Sequence, residues 1–222
     1  MGVVPIKNFR VEPEALMNIH DELKPFAFGM SEINKPQNFQ ELFIEPQPLV
    51  LDIGAGKGEF VEQMAKLHSD WNFLCIELRL HRVRTIVKRA KRANLQNIRV
   101  MHGRIEHLIP HCFFRDSVAH AYMNFPDPWQ KSRQSKNRTM NPLFCRRISE
   151  LLQLGGIFHF ATDVDDYANY AFDCLEQDPD FENDLGKHKF LQEIPEHYKT
   201  LFYKHAQNSG FDSSFLKFRK IS

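Results

Sequence analysis

From residue 49 onward the chain alternates short apolar runs with longer amphipathic ones. Leu49-Val50-Leu51-Asp52-Ile53 is too short for a helix and is closed by glycine, which predicts a buried strand. Over residues 59–68 the apolar positions Phe60, Val61, Met64, Ala65 and Leu67 recur at helical spacing. A second strand is predicted over 72–76, ending at Glu77. An amphipathic helix over 79–93 then turns Val83, Ile86, Val87 and Ala90 inward. The pattern continues with a strand over 97–101, a short helix over 106–109 and a strand over 118–123. Pro142 suits the start of a helix over 142–152, Gly155-Gly156 closes it, and a strand over 157–161 and a helix over 163–175 follow. Strands alternating with helices imply parallel βαβ units. The expected fold is α/β, a doubly wound, mostly parallel sheet. After Asp178 the pattern changes, and 189–194 with 214–219 are expected to add an antiparallel pair at the C-terminal end. Residues 1–48 carry prolines at 5, 13, 25, 36, 46 and 48 and are expected to form an N-terminal arm, with a short helix over 13–23. Residues 49–222 are expected to form one domain.

Composition narrows the class. The 222 residues are 42% hydrophobic, enough for a packed core, and the longest apolar runs are too short to span a bilayer. The start, Met-Gly-Val-Val-Pro-Ile, has no signal-peptide pattern, and Ile6 stands where a myristoylation signal needs Ser or Thr. A cytoplasmic protein with no membrane partner is expected. Cys75, Cys112, Cys145 and Cys174 are scattered with no Cys-x-x-Cys pair, so buried free thiols are expected, with no metal site and no disulfide framework. Net charge is +1, from 29 basic and 28 acidic residues, which by itself points to no polyanion. The distribution says more. Arg79, Arg82, Arg84, Lys88, Arg89, Lys91 and Arg92 lie on one predicted helix with no acid among them, either a candidate nucleic-acid surface or a solvated face.

The densest chemistry lies in residues 124–138, Asn-Phe-Pro-Asp-Pro-Trp-Gln-Lys-Ser-Arg-Gln-Ser-Lys-Asn-Arg. Prolines on both sides of Asp127 end the preceding strand and hold the acid on a stiff loop. Pro126 is expected to push Phe125 into extended geometry. Trp129 offers a flat surface, and Lys131, Arg133, Lys136 and Arg138 follow. An acid, an aromatic and a basic run together suit a nucleotide base beside a phosphate backbone.

A second site precedes it. Gly54, Gly56 and Gly58 lie between a strand and a helix, where the backbone can approach a ligand and helix amides can point at it. The spacing fails the Gly-x-Gly-x-x-Gly dinucleotide pattern at Glu59, and no Walker lysine-serine or lysine-threonine follows. With Asp52 just inside the strand end, the pattern is that of S-adenosylmethionine sites, whose ligand is a cation. Glu77, at the end of the next strand, stands where α/β sites place an acid for ribose hydroxyls.

With these pieces in view, residues 49–202 resemble the bacterial tRNA (guanine-N7)-methyltransferases, a family of class I, Rossmann-like methyltransferases. The resemblance rests on Phe125-Pro126-Asp127-Pro128-Trp129 with its basic tail, on Ala161-Thr162-Asp163 with Tyr167, on Asp52 to Gly58 and on Ile76-Glu77. It implies methyl transfer from S-adenosylmethionine to guanine N7 in the variable loop of tRNA. It also implies that Asp52, Glu77 and the Gly54–Gly58 backbone hold the cofactor, with Asp127 beside the transferable methyl at the catalytic centre. Lys131 and Asp163 would contact substrate, and the segment from Arg133 through Lys136 to Arg138 would contact RNA. Thr200 opens the C-terminal substrate motif, with Phe202 at its aromatic position and Tyr203 at its end.

The chain departs from the family at four places. Arg104 stands where an acid near the cofactor's adenine is expected, with Glu106 two residues on. Gln134 replaces a histidine, Asn137 an arginine, and Tyr203 a glutamate. Two other readings stay open: methylation of an exocyclic base nitrogen, by a related loop that carries two prolines after its acid, and an RNA-binding module with impaired catalysis.

Overall fold

The computed structural model describes residues 21–29, 36–129, 137–186 and 213–222. In chain order the elements are β1 (Ala27–Gly29), β2 (Leu49–Ile53), α1 (Glu59–Leu67), β3 (Asn72–Glu77), α2 (Leu80–Arg92), β4 (Ile98–His102), α3 (Ile105–Cys112), β5 (Val118–Asn124), α4 (Pro142–Leu151), β6 (Leu152–Thr162), α5 (Asp165–Glu176), β7 (Phe181–Asn183) and β8 (Ser214–Lys220). The described strands form one sheet in the order β1-β4-β3-β2-β5-β6-β8-β7. Pairing is parallel from β1 to β6, and β8 runs antiparallel to β6 and β7. Strands β2 and β3 are buried along their whole length, as parallel strands between helix layers must be.

Two cores result. Val83, Ile86, Val87 and Ala90 of α2 pack with Phe60, Val61 and Met64 of α1 on one face. The other face is larger and joins α3, α4 and α5 to β5, β6 and β8 through Phe144, Phe158, Phe160, Tyr167 and Phe218. The chain winds outward from β2 in one direction and from β5 in the other, so the order reverses between them. Open α/β sheets bind ligands at that crevice, beyond the carboxyl ends of the strands.

Two features differ from the sequence expectations. The arm reaches into the sheet: β1 pairs with β4, and Phe39 packs on Phe113 with ring centroids 4.6 Å apart. Arg99, buried on β4, lies over Phe26 at 5.3 Å and Phe43 at 5.0 Å, so this stretch is fastened by aromatic and guanidinium surfaces. Second, Gly155 and Gly156 lie inside β6, which begins at Leu152 directly after α4. A β-carbon at 156 would meet Gln153 O at 2.8 Å and Ala119 O at 2.9 Å, so the glycine serves a close backbone approach beside the irregularity between Val118 and His120. The antiparallel strand expected over 214–219 is β8, paired with β6 and β7, and the expected strand over 189–194 lies outside the described residues. The four cysteines are free and buried, and among the described residues no helix is long and apolar enough to cross a membrane.

Candidate active site

At the carboxyl edge of β2 the chain turns through Gly54, Gly56 and Gly58, with φ of 75°, 61° and 79°. Gly58 occupies the N-cap of α1, and no side chain caps that helix, so its first amides remain available. Nothing lies within 4 Å of where a β-carbon at Gly54 would sit, which leaves room beside the backbone. Gly58 differs, since its β-carbon would meet Ile86 Cγ1 at 3.0 Å; its size is set by helix packing.

Glu77, 4% exposed, shapes this turn. Its Oε2 accepts from Gly56 N at 2.9 Å and its Oε1 from Arg79 N at 2.8 Å, with Arg82 at 3.7 Å. A carboxylate has about four acceptor positions, so capacity remains for a ligand. Asp52 is 2% exposed, and its Oδ2 has no hydrogen-bond partner among the described residues. Burial, and then the charge of Glu77, push its pKa up to about 7.

Register extends the site along the edge. Glu77 lies opposite His102 on β4, and Asn124 ends β5 one residue beyond the Ile53–Met123 pair, level with Gly54. His102, Glu77, Asp52 and Asn124 therefore project from the same face of four adjacent strands, a row spanning about 14 Å. His102 Nε2 bonds Leu78 O at 2.8 Å, but its Nδ1 has no partner among the described residues, and neither has either polar atom of the Asn124 amide. Buried polar atoms without partners are costly unless a ligand satisfies them. The sequence reading gave no role to His102 or Asn124. The available signal was a polar residue closing a strand just before a loop.

The Asp127 loop follows Asn124 directly. Asp127 is exposed, at the carboxyl edge and beside the crevice. The loop is not extended as expected: Phe125 has φ of 50° and Trp129 φ of 45°. Left-handed geometry is uncommon for bulky residues and is held only by firm surroundings. Phe125 N bonds Ala161 O at 2.8 Å, and its ring packs edge-on to Phe215 at 6.4 Å. Tertiary contacts thus override the local preference set by Pro126. Asp163 lies past β6, at the end of the neighbouring strand.

Other sequence candidates are placed differently. Arg104 is the N-cap of α3 and exposed. Glu106 accepts from Thr139 Oγ1 at 3.2 Å, so one of its oxygens faces that segment. Arg138 was expected to contact RNA, yet it is 9% exposed and turned inward. Lys131, Arg133, Gln134, Lys136, Thr200, Phe202 and Tyr203 lie outside the described residues. On α2, Arg89 pairs with Glu59 at 2.7 Å and Glu62 at 2.8 Å, while Lys91 bonds Glu22 O at 2.9 Å. Much of that helix's charge therefore fastens α2 to α1 and to the segment before β1.

A family model described as "Putative methyltransferase" matches residues 46–212. A tRNA (guanine-N(7)-)-methyltransferase from Alkalilimnicola ehrlichii is 32% identical over 87% of this chain and 82% of its own. One from Aeromonas hydrophila is 35% identical over 91% of this chain and 85% of its own. The chain belongs to the tRNA (guanine-N7)-methyltransferase family. Solved structures agree on the class I methyltransferase fold: the 16S rRNA methyltransferase KamB superposes with a TM-score of 0.59 at 14% identity, over 79% of this chain and 89% of its own. A Streptococcus mutans protein solved in complex with SAH superposes with a TM-score of 0.53 at 10% identity, over 86% of this chain and 93% of its own. The methyl donor of this methyltransferase is S-adenosylmethionine, and the residues present fit it. Two neighbouring buried carboxylates, one with an unpartnered oxygen, call for a cation, and the open backbone at Gly54 gives that cation a place to lie.

Proposed function

We propose that the protein methylates N7 of a guanine in tRNA, in the variable loop that the sequence resemblance implies. The observation that carries this reading is the row of buried polar atoms at the sheet's switch point, running directly into the Asp127 loop. S-adenosylmethionine, when bound, supplies an electrophilic methyl group on a sulfonium. Asp52 and Glu77, with the amides of the Gly54, Gly56 and Gly58 turn, would hold it. Glu106 and Arg104 would border the adenine end, beside His102.

Guanine N7 has an in-plane lone pair and no proton, so no general base is required. The work left to the protein is positioning and electrostatics. Methylation leaves positive charge on the guanine ring, which the Asp127 carboxylate beside N7 would stabilise. The Asn124 amide can donate to guanine O6, a contact that adenine, with an amino group there, cannot accept. Lys131, Arg133 and Lys136 would take phosphates, and Asp163, Thr200 and Tyr203 would contact the substrate nucleoside. Reaching N7 in folded tRNA requires loosening its tertiary pairing, at a cost of about a few kcal/mol.

The test is product identity. Purified protein is incubated with S-adenosylmethionine and unmodified tRNA, and the nucleosides are resolved by mass and retention. 7-Methylguanosine is expected. A methylated exocyclic nitrogen would move the chemistry to the related base methyltransferases. Bound but unmethylated tRNA would mark a binding module.

A further inference from the structure

Arg138 is buried and tied on every side. Its Nε donates to Pro128 O at 2.9 Å, one residue past Asp127. Its terminal nitrogen donates to Asp166 Oδ2 at 2.5 Å. Its guanidinium plane lies over Tyr167 at 4.8 Å and Tyr170 at 5.6 Å. Tyr167 is fully buried, accepts from Met140 N at 3.3 Å, and meets Phe160 of β6 edge-on at 5.3 Å. One side chain thus joins the end of the Asp127 loop to α5 and, through Tyr167, to the sheet.

The loop needs such a hold. Pro126 and Pro128 donate no backbone hydrogen bond, and Phe125 and Trp129 both stand at positive φ. On the upstream side the anchor is Phe125 N to Ala161 O. On the downstream side it is Arg138 to Pro128 O. Asp127 stands between the two. We propose that Arg138 is a positioning residue: it sets the backbone on which Asp127 meets the base and does not touch RNA phosphate. The inference rests on the reading of Asp127 given above. Arginine suits the task because its planar fork can stack on two rings and still bond a carbonyl and a carboxylate, which a lysine ammonium cannot.

The test compares Arg138→Gln, Arg138→Lys and Asp166→Asn in steady-state methylation of tRNA, together with tRNA binding across a salt series. Misplacing a reacting group by an ångström costs about 100-fold in rate, so Arg138→Gln is expected to lower kcat by that order. The KM for tRNA, the salt slope of binding and the affinity for S-adenosylhomocysteine stay at wild-type values. Arg138→Lys is expected to recover only part of the rate, and Asp166→Asn, on the exposed rim, to lose less than ten-fold. A spectroscopic arm uses Trp129: the chain has 2 tryptophans, so a Trp71→Phe background leaves it as sole reporter. Its emission is expected to shift on Arg138→Gln and on Asp166→Asn. Should Arg138→Gln fail to fold, the Arg138→Lys and Asp166→Asn kinetics and the Trp129 emission decide the matter. Unchanged kcat with weaker tRNA binding and a flatter salt slope would overturn the proposal and return Arg138 to the phosphates. If wild type itself makes no 7-methylguanosine, it is the functional reading that fails, whereas unchanged variants of an active wild type sink only this inference.

Discussion

The two edges of the sheet treat charge in opposite ways. At the amino edge, charges of the described residues pair with one another. Lys220 Nζ bonds Asp116 Oδ1 at 2.6 Å and Leu152 O at 3.0 Å, Arg115 meets Glu150 at 2.6 Å, and Arg146 bridges Asp180 and Asp178. A cleft of about 600 Å³ opens there between Arg115, Glu150 and Lys220, yet its lining is already satisfied by itself. At the carboxyl edge the same strands end in Asp52, His102 and Asn124, with buried polar atoms unpartnered among the described residues. At the carboxyl edge such atoms of Asp52, His102 and Asn124 share one face beside the glycine turn, where a ligand can complete them.

The sharpest way to break this comparison is Asp127→Ala. Loss of one preorganised group facing developing charge costs about 10²–10³ in kcat, while affinity for S-adenosylmethionine is expected to hold within a few-fold by calorimetry. Turnover near wild type would remove Asp127 from the centre. Next comes Asp52→Asn, which is expected to weaken S-adenosylmethionine binding by about ten-fold, or about 1.4 kcal/mol. The same variant is expected to raise the melting temperature of the ligand-free protein by about 2–4 °C, the shift that about 1 kcal/mol gives at this size.

The sign follows from where the proton sits. Asp52 titrates near 7 when folded and near 3.8 when unfolded, so between those values the folded chain holds a proton that the unfolded chain has released. Ligand-free stability from this group is therefore full below that interval and is lost as pH rises through it. A bound cation favours the carboxylate, so cofactor affinity is expected to climb toward pH 7 and then level. Thermal unfolding with and without ligand from pH 5 to 8 checks both trends, and parallel curves would sink the cation reading.

At the amino edge, Lys220→Met strands Leu152 O and is expected to cost about 1–3 kcal/mol of stability, with kcat unchanged at a temperature where the variant is folded. A catalytic effect there would blur the contrast between edges. The smallest effect concerns α2. Lys88 is exposed and Arg92 has 72% of its side chain in solvent. Replacing both by alanine is expected to change stability by less than about 0.5 kcal/mol and to leave the salt slope of tRNA binding unaltered. A flatter slope would restore α2 as an RNA surface.

Much of this was readable along the chain. Apolar runs with turn signals predicted the strand and helix order from β2 to α5 within a few residues, because burial between helix layers demands that composition. The glycine turn, Asp52, Glu77 and the Pro-Asp-Pro-Trp loop were local signals with local chemistry. The three-residue strand β1 was not readable, since it is too short for periodicity and stands among prolines. Gly156 resembled a helix stop because the backbone approach that requires it comes from another strand.

The sequence by itself determined the fold class, the glycine turn and the loop that bears Asp127, since each is written in contiguous residues with their own conformational demands. Only the tertiary structure decided which charges were free to act. Arg138 and Arg89 look like phosphate ligands in a basic run, but burial and neighbouring groups engage both within the protein. Asn124 and His102 look ordinary until register places them level with Glu77 and Gly54 on one face. The physical reason is that charge and hydrogen-bonding capacity belong to a residue, whereas their satisfaction depends on neighbours distant in sequence, and that is fixed when the sheet assembles.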